Sequence, residues 1–192
     1  ELHNTSVTRA RKVASIKSFY KYLHTKVKLI DFNPAAELDS PKMVKRLPKY
    51  LNIDESLNLL DSVEGKNKVR DFAILVLFMN CGFRLSELVG INLKDIKQDT
   101  LTVMGKGKKE RTIYLNQACR DAIDDYLKIR PVENVKDKKA LFLSERRQRI
   151  SPKTVQYLVK KYIGFSGLDP DKYSPHKLRH TAATLMYKHG NV

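Results

Sequence analysis

A chain of 192 residues with 37 Lys and Arg against 21 Asp and Glu carries a formal charge of +16, so its partner should be densely negative, and nucleic acid fits best. Its longest uninterrupted apolar run, Phe72 to Met79, is far too short to cross a bilayer, and the opening residues do not read as a secretion signal. Cys81 and Cys119 have neither CxxC spacing nor a His/Cys cluster around them, which argues against structural zinc and points to reduced thiols in a cytoplasmic protein.

Taken in chain order, residues 5–24 place Val13, Ile16, Phe19, Tyr20 and Leu23 at helical spacing with Arg9, Arg11, Lys12 and Lys17 between them. This predicts a basic amphipathic helix. Asn33-Pro34 opens a short segment through Leu38. Residues 41–48, bracketed by prolines and holding Lys45 and Arg46, read as an extended linker. Asn52 with Glu55 three residues on marks a helix start, followed by Leu57, Leu60 and Val63. The Phe72–Met79 run is apolar on all sides and too long for a typical strand, so it predicts the central buried helix, closed by Gly82.

Leu85–Ile91 reads as a short helix. The convincing sheet signal follows: Thr100–Met104 and Arg111–Leu115 alternate with period two around the glycine-containing turn Gly105–Glu110. Helices are predicted at about 117–129, with Ala118, Ile123 and Leu127 apolar, and at about 152–163, with Ser151 as cap, Pro152 at the first position and Val155, Leu158, Val159 and Ile163 inward. Ser174-Pro175 starts a last helix over 175–189, with Leu178, Ala182 and Leu185 on its apolar side. The expected class is mainly α with one small antiparallel β-sheet.

Residues three and four apart are neighbours on a helix, so His176, Arg179 and His180 project together. A guanidinium offers phosphate a permanent planar fork, and an imidazole one turn away exchanges protons near neutral pH. As a metal pair the two histidines are unconvincing, because no glutamate stands between them as in H-E-x-x-H and a fixed cation sits beside them. Two other elements carry polar groups that an ordinary core does not need: Arg84 after Cys81-Gly82-Phe83, and Lys106 in the hairpin turn.

Together these segments resemble the tyrosine recombinases, the phage integrase and Xer family. Gly82-Phe83-Arg84-Leu85-Ser86-Glu87-Leu88 is similar to the family's first arginine motif, Gly105-Lys106-Gly107-Lys108-Lys109-Glu110-Arg111 to its lysine hairpin, and His176-Lys177-Leu178-Arg179-His180 to its His-x-x-Arg box. The resemblance implies the DNA breaking-rejoining catalytic fold over 49–192, preceded by the linker at 41–48 and, over 1–40, by the end of a helical core-binding domain. It implies double-stranded DNA as partner, assembly as a dimer or tetramer on that DNA, and no cofactor or metal.

In those terms Arg84 and Arg179 would bind the non-bridging oxygens of a phosphodiester, Lys106 would protonate the leaving 5′ oxygen, and His176 would bond the phosphate and assist proton transfer. Glu87 and His180 would support them, while Arg9, Arg11, Lys12, Lys17, Lys45, Arg46 and Lys108 would contact DNA. The family's nucleophile is a tyrosine lying beyond the His-x-x-Arg box. Tyr187, the only tyrosine after Arg179, sits on the same helix and is not assigned that role. The expectation is therefore a fragment of a site-specific recombinase that binds DNA without cutting it. A non-catalytic DNA-binding module would explain the charge but not this ordered set of cations; a type IB topoisomerase-like nicking enzyme would share the chemistry.

Overall fold

The computed structural model describes residues 5–42, 50–105 and 109–189. The chain divides into two compact units, Glu1–Leu47 and Pro48–Val192. In the first, the Thr5 hydroxyl accepts the Thr8 amide at 3.2 Å and so caps α1, Ser6–Tyr22. A single π turn, Leu23–Val27, extends it and ends at Lys28 in the left-handed region. No residue of α1 is buried, and Phe19 and Tyr22 lie more than half exposed. The amphipathic stripe is present in the sequence, yet the described part of this unit offers no second long element to pack on it.

The second unit is built around α3, Lys68–Cys81, whose residues Ala73 to Met79 are all buried. The helix extends beyond the apolar run at both ends. Its first turn brings Arg70 and Asp71 indoors, where they pair at 2.7 Å and where Asp71 also accepts the Tyr162 hydroxyl at 3.0 Å. Phe72, in contrast, faces partly outward. Packed on α3 are α2 (Ile53–Asp61), α5 (Gln117–Ile129) and α7 (Pro175–His189), with α6 (Pro152–Phe165) against α2 and α7. Val155, Leu158, Val159 and Ile163 of α6 are buried as their spacing predicts. On α5 the inward residues are Cys119, Ala122, Ile123 and Tyr126, while Ala118 and Leu127 face solvent.

The sheet has three antiparallel strands in the order β1 (Ile96–Lys97), β2 (Thr100–Met104), β3 (Glu110–Tyr114). β1 carries only two residues, too few for a periodic signal. Register pairs Val103 with Arg111 and Leu101 with Ile113, and Leu101 and Val103 enter the core. Arg111 therefore lies on the core-facing side of β3. The Gly105 amide donates to the Lys109 carbonyl at 2.8 Å and closes the hairpin.

Two arginines hold the chain to itself. Arg130, buried, donates to the carbonyls of Ala140 and Leu141 at 2.6 and 3.0 Å. Arg149 pairs with Asp137 at 2.8 Å and donates to the carbonyls of Val89 and Ile91 at 2.9 and 3.1 Å, which fixes the end of α4, Leu85–Gly90.

α3 stops at Gly82, which adopts φ +58° and lies against the Arg179 backbone of α7. An L side chain there would be strained, by about 1–2 kcal/mol. Gly82→Ala should therefore lower Tm by roughly 2–8 °C. Gly90→Ala, at a glycine with ordinary φ and no atom in reach of an added Cβ, should leave Tm unchanged or raised in the same melts.

Candidate active site

Arg84 immediately precedes α4, so the first turn of that helix presents its amide and its side chain to the residue three positions on. That residue is Glu87. Its Oε2 accepts the Arg84 amide at 2.7 Å, and its Oε1 accepts Arg84 Nη1 at 2.7 Å. The carboxylate reaches two further cations. Arg111 on β3 donates from Nη2 to Oε2 at 2.8 Å, and Arg179 Nη1 on α7 lies 3.6 Å from the same oxygen, an ion-pair distance too long for a hydrogen bond. Only 2% of the Glu87 side chain is exposed, against 51% for Arg84, 27% for Arg179 and 40% for Arg111.

Burial pushes the Glu87 carboxyl upward, but the Arg84 amide and the guanidiniums of Arg84 and Arg111 outweigh it and hold the group below the ordinary glutamate range. Glu87 is thus ionised at neutral pH. One carboxylate cannot neutralise three guanidiniums, so two positive charges remain at its edge. Their mutual repulsion is visible on Arg179, where burial and the neighbouring Arg84 both work against the charged form and Glu87 opposes them. Arg179 Nη1 is buried and has no hydrogen-bond partner among the described residues. The side chain as a whole is 27% exposed, so an anion reaches the guanidinium from its accessible side.

The space for one lies alongside. A cavity of about 590 Å³ is lined by Arg84, Arg179 and His176, together with Ser86 of α4 and Pro152 and Gln156 of α6. His176 Nε2 stands 3.1 Å from His180 Nε2, and both rings are exposed. His180 does not line the cavity; it touches His176. The structure thus gathers Arg84, Glu87, His176 and Arg179 at one place. Lys106 and Lys108 fall outside the described residues, as do Lys45 and Arg46. No group of His, Cys, Asp and Glu among the described residues is arranged to hold a metal ion.

Arg111 is the site residue that sequence reasoning missed. Its signal was the period of two: it shares a side of β3 with Ile113, where an apolar residue would be expected. Tyr187 stands eight residues beyond Arg179 on α7, roughly 12 Å along the axis, and is 84% exposed. In the first unit Arg9, Arg11 and Lys12 are exposed and Lys17 is half-buried; none pairs with an acid among the described residues. At about 100° per residue, Arg9, Lys12 and Lys17 fall on one side of α1 and Arg11 on the other.

Among curated proteins the chain is 64% identical, over its whole length, to the tyrosine recombinase XerC of Caldanaerobacter subterraneus subsp. tengcongensis, and spans 54% of that protein. It is 40% identical over 97% of its length to the tyrosine recombinase XerC of Thermodesulfovibrio yellowstonii, spanning 64% of it. The chain therefore covers between about half and two thirds of these relatives' lengths. Among solved structures, the XerA recombinase superposes with a TM-score of 0.69 at 26% identity, over 94% of this chain and 70% of that one. The XerH site-specific recombinase bound to its difH substrate superposes with a TM-score of 0.75 at 23% identity, over 97% and 56%. Residues 49–192, most of the chain, match the profile of the phage integrase family, and the chain belongs to that family.

Proposed function

We propose that this chain is the phosphate-activating part of a site-specific DNA recombinase that cuts and rejoins DNA through a 3′-phosphotyrosyl intermediate. The observation that carries the reading is the cluster of three guanidiniums around one buried carboxylate, beside a cavity that His176 also lines. A phosphodiester under attack gathers negative charge on its non-bridging oxygens, and cations fixed in advance where that charge develops lower the barrier without reorganisation. Arg84 and Arg179 take those oxygens, His176 bonds the phosphate and assists proton transfer, and Lys106 protonates the departing 5′ oxygen. Glu87 holds the arginines in place, and His180 braces His176.

A covalent phosphotyrosyl link conserves the energy of the broken phosphodiester, so the reaction needs neither ATP nor metal. In this reading the nucleophile is a tyrosine outside this chain, and the chain alone binds DNA without breaking it. Double-stranded DNA is the partner, contacted by Arg9, Arg11, Lys12, Lys17, Lys45, Arg46 and Lys108, and the full protein assembles as a dimer or tetramer on it. Acting on DNA with reduced Cys81 and Cys119, it works in the cytoplasm. The name "tyrosine recombinase" borne by relatives as similar as 64% supports this assignment.

Three measurements test it. Binding of the chain to duplex DNA should weaken steeply with salt, log affinity falling against log salt by roughly 0.9 per phosphate contacted; a flat response between low and moderate salt would refute the electrostatic contact. In the full-length protein, Lys106→Ala should slow cleavage of ordinary DNA by about 100-fold or more, but slow a 5′-bridging phosphorothiolate far less, because a thiolate departs without a proton. Equal slowing of both would remove Lys106 from the acid role. On denaturing gels with a suicide substrate, the full-length protein should give a covalent band and this chain none. A band from the chain, mapped to Tyr187 or another residue, would place the nucleophile inside it.

A further inference from the structure

The sequence marks Arg84 and Arg179 as the cations of the site, but the structure adds Arg111, and its connections distinguish it from both. Arg111 stands on β3 opposite Val103, two residues after the Lys109 carbonyl that closes the hairpin turn. Its Nη2 reaches Glu87 Oε2 at 2.8 Å, the oxygen that also takes the Arg84 amide at 2.7 Å and faces Arg179 at 3.6 Å. Its Nε is buried with no hydrogen-bond partner among the described residues, while the side chain as a whole is 40% exposed and its Nη2 is held by Glu87. Unlike Arg84 and Arg179, it does not line the cavity.

We infer that Arg111 is a positioning residue: acting through Glu87, it ties β3 to the arginine cluster and sets the charge that the cluster presents. This rests on the recombinase reading above. Two consequences follow from the geometry. β3 pairs with β2 and the Gly105 amide donates to the Lys109 carbonyl, so the Arg111–Glu87 contact fixes this end of the two-stranded pair relative to Arg84. The charge argument is separate. A resting phosphodiester carries one negative charge, whereas the five-coordinate arrangement passed during displacement spreads two over its equatorial oxygens. Three guanidiniums facing one carboxylate leave two positive charges, which match the second state better than the first. Without Arg111 one would remain. Its contribution should therefore fall on the chemical step more than on binding.

The test compares Arg111→Gln and Arg111→Lys with wild type in the full-length protein, measuring duplex dissociation constants and single-turnover cleavage separately. Arg111→Gln should bind duplex within about threefold of wild type but cleave about 10- to 100-fold more slowly, the range expected when a partner of a site ligand is lost. Arg111→Lys, which restores the charge but not the fork, should recover part of the rate, and melts of both variants identify any loss due to unfolding. The inference fails if Arg111→Gln cleaves at the wild-type rate, if its rate and affinity fall together by the same factor, or if lysine restores folding without rate. Should Arg111→Gln not fold, Arg111→Lys decides alone: a wild-type rate, or equal losses of rate and affinity, overturns the inference. A wild-type protein that cuts no duplex would instead overturn the recombinase reading, and this inference with it.

Discussion

The site depends on one buried anion. Glu87 sits where α4, β3 and α7 meet, and each of those elements sends a guanidinium to it. Removing a carboxylate from water costs several kcal/mol unless its oxygens are fully engaged, and here the Arg84 amide and two guanidiniums engage them at 2.7–2.8 Å. Because those guanidiniums come from distant parts of the chain, the same contact that stabilises Glu87 aligns three elements that sequence separates widely. The acid is outnumbered. The leftover positive charge borders the cavity that Arg84, Arg179 and His176 line, and cations fixed there in advance stabilise a negative charge without reorganisation.

The rest of the second unit keeps that junction in register. α3 supplies the apolar post against which α5 and α7 pack, and its left-handed end at Gly82 turns the chain toward Arg84 within two residues. The Thr181 hydroxyl of α7 accepts the Leu51 amide at 3.0 Å, which fastens the start of the unit to the helix bearing Arg179. Arg149 holds the far end of α4 through the Val89 and Ile91 carbonyls. A formal charge of +16 thus divides into distinct populations: Arg70, Arg130 and Arg149 satisfy the protein's own carboxylates and carbonyls, Arg84, Arg111 and Arg179 surround Glu87, and exposed cations such as Arg9, Arg11 and Lys12 pair with no acid among the described residues.

Much of this was legible in the sequence because local rules dictated it. Asn52 and Glu55 form the reciprocal cap that their spacing predicts, at 2.8 Å in both directions, and Ser151-Pro152 opens α6. The motif order alone groups Arg84, Glu87, His176 and Arg179. What escaped was set by tertiary pairing. β1 is too short to show a period, and Leu127 follows helical spacing yet faces solvent because Tyr126 turns inward, where its hydroxyl accepts the Leu143 amide at 3.1 Å. Arg111 escaped for the opposite reason: a charged residue at an inward strand position looks like an error in the pattern until its partner, 24 residues away in sequence, is seen.

The account requires Glu87 to be an ionised carboxylate gripped by guanidiniums, and its own titration tests that most directly. Carboxyl-carbon NMR of the chain, with Glu87 assigned by comparison with Glu87→Gln, should show a midpoint below the ordinary glutamate value of about 4.3. The sign is fixed by the balance described: a depressed value means that ionisation stabilises the fold above the ordinary range and that this contribution is lost as pH falls through the folded-state midpoint. A midpoint at or above the ordinary value would mean that burial outweighs the arginines, and that the cluster does not hold its charge as described.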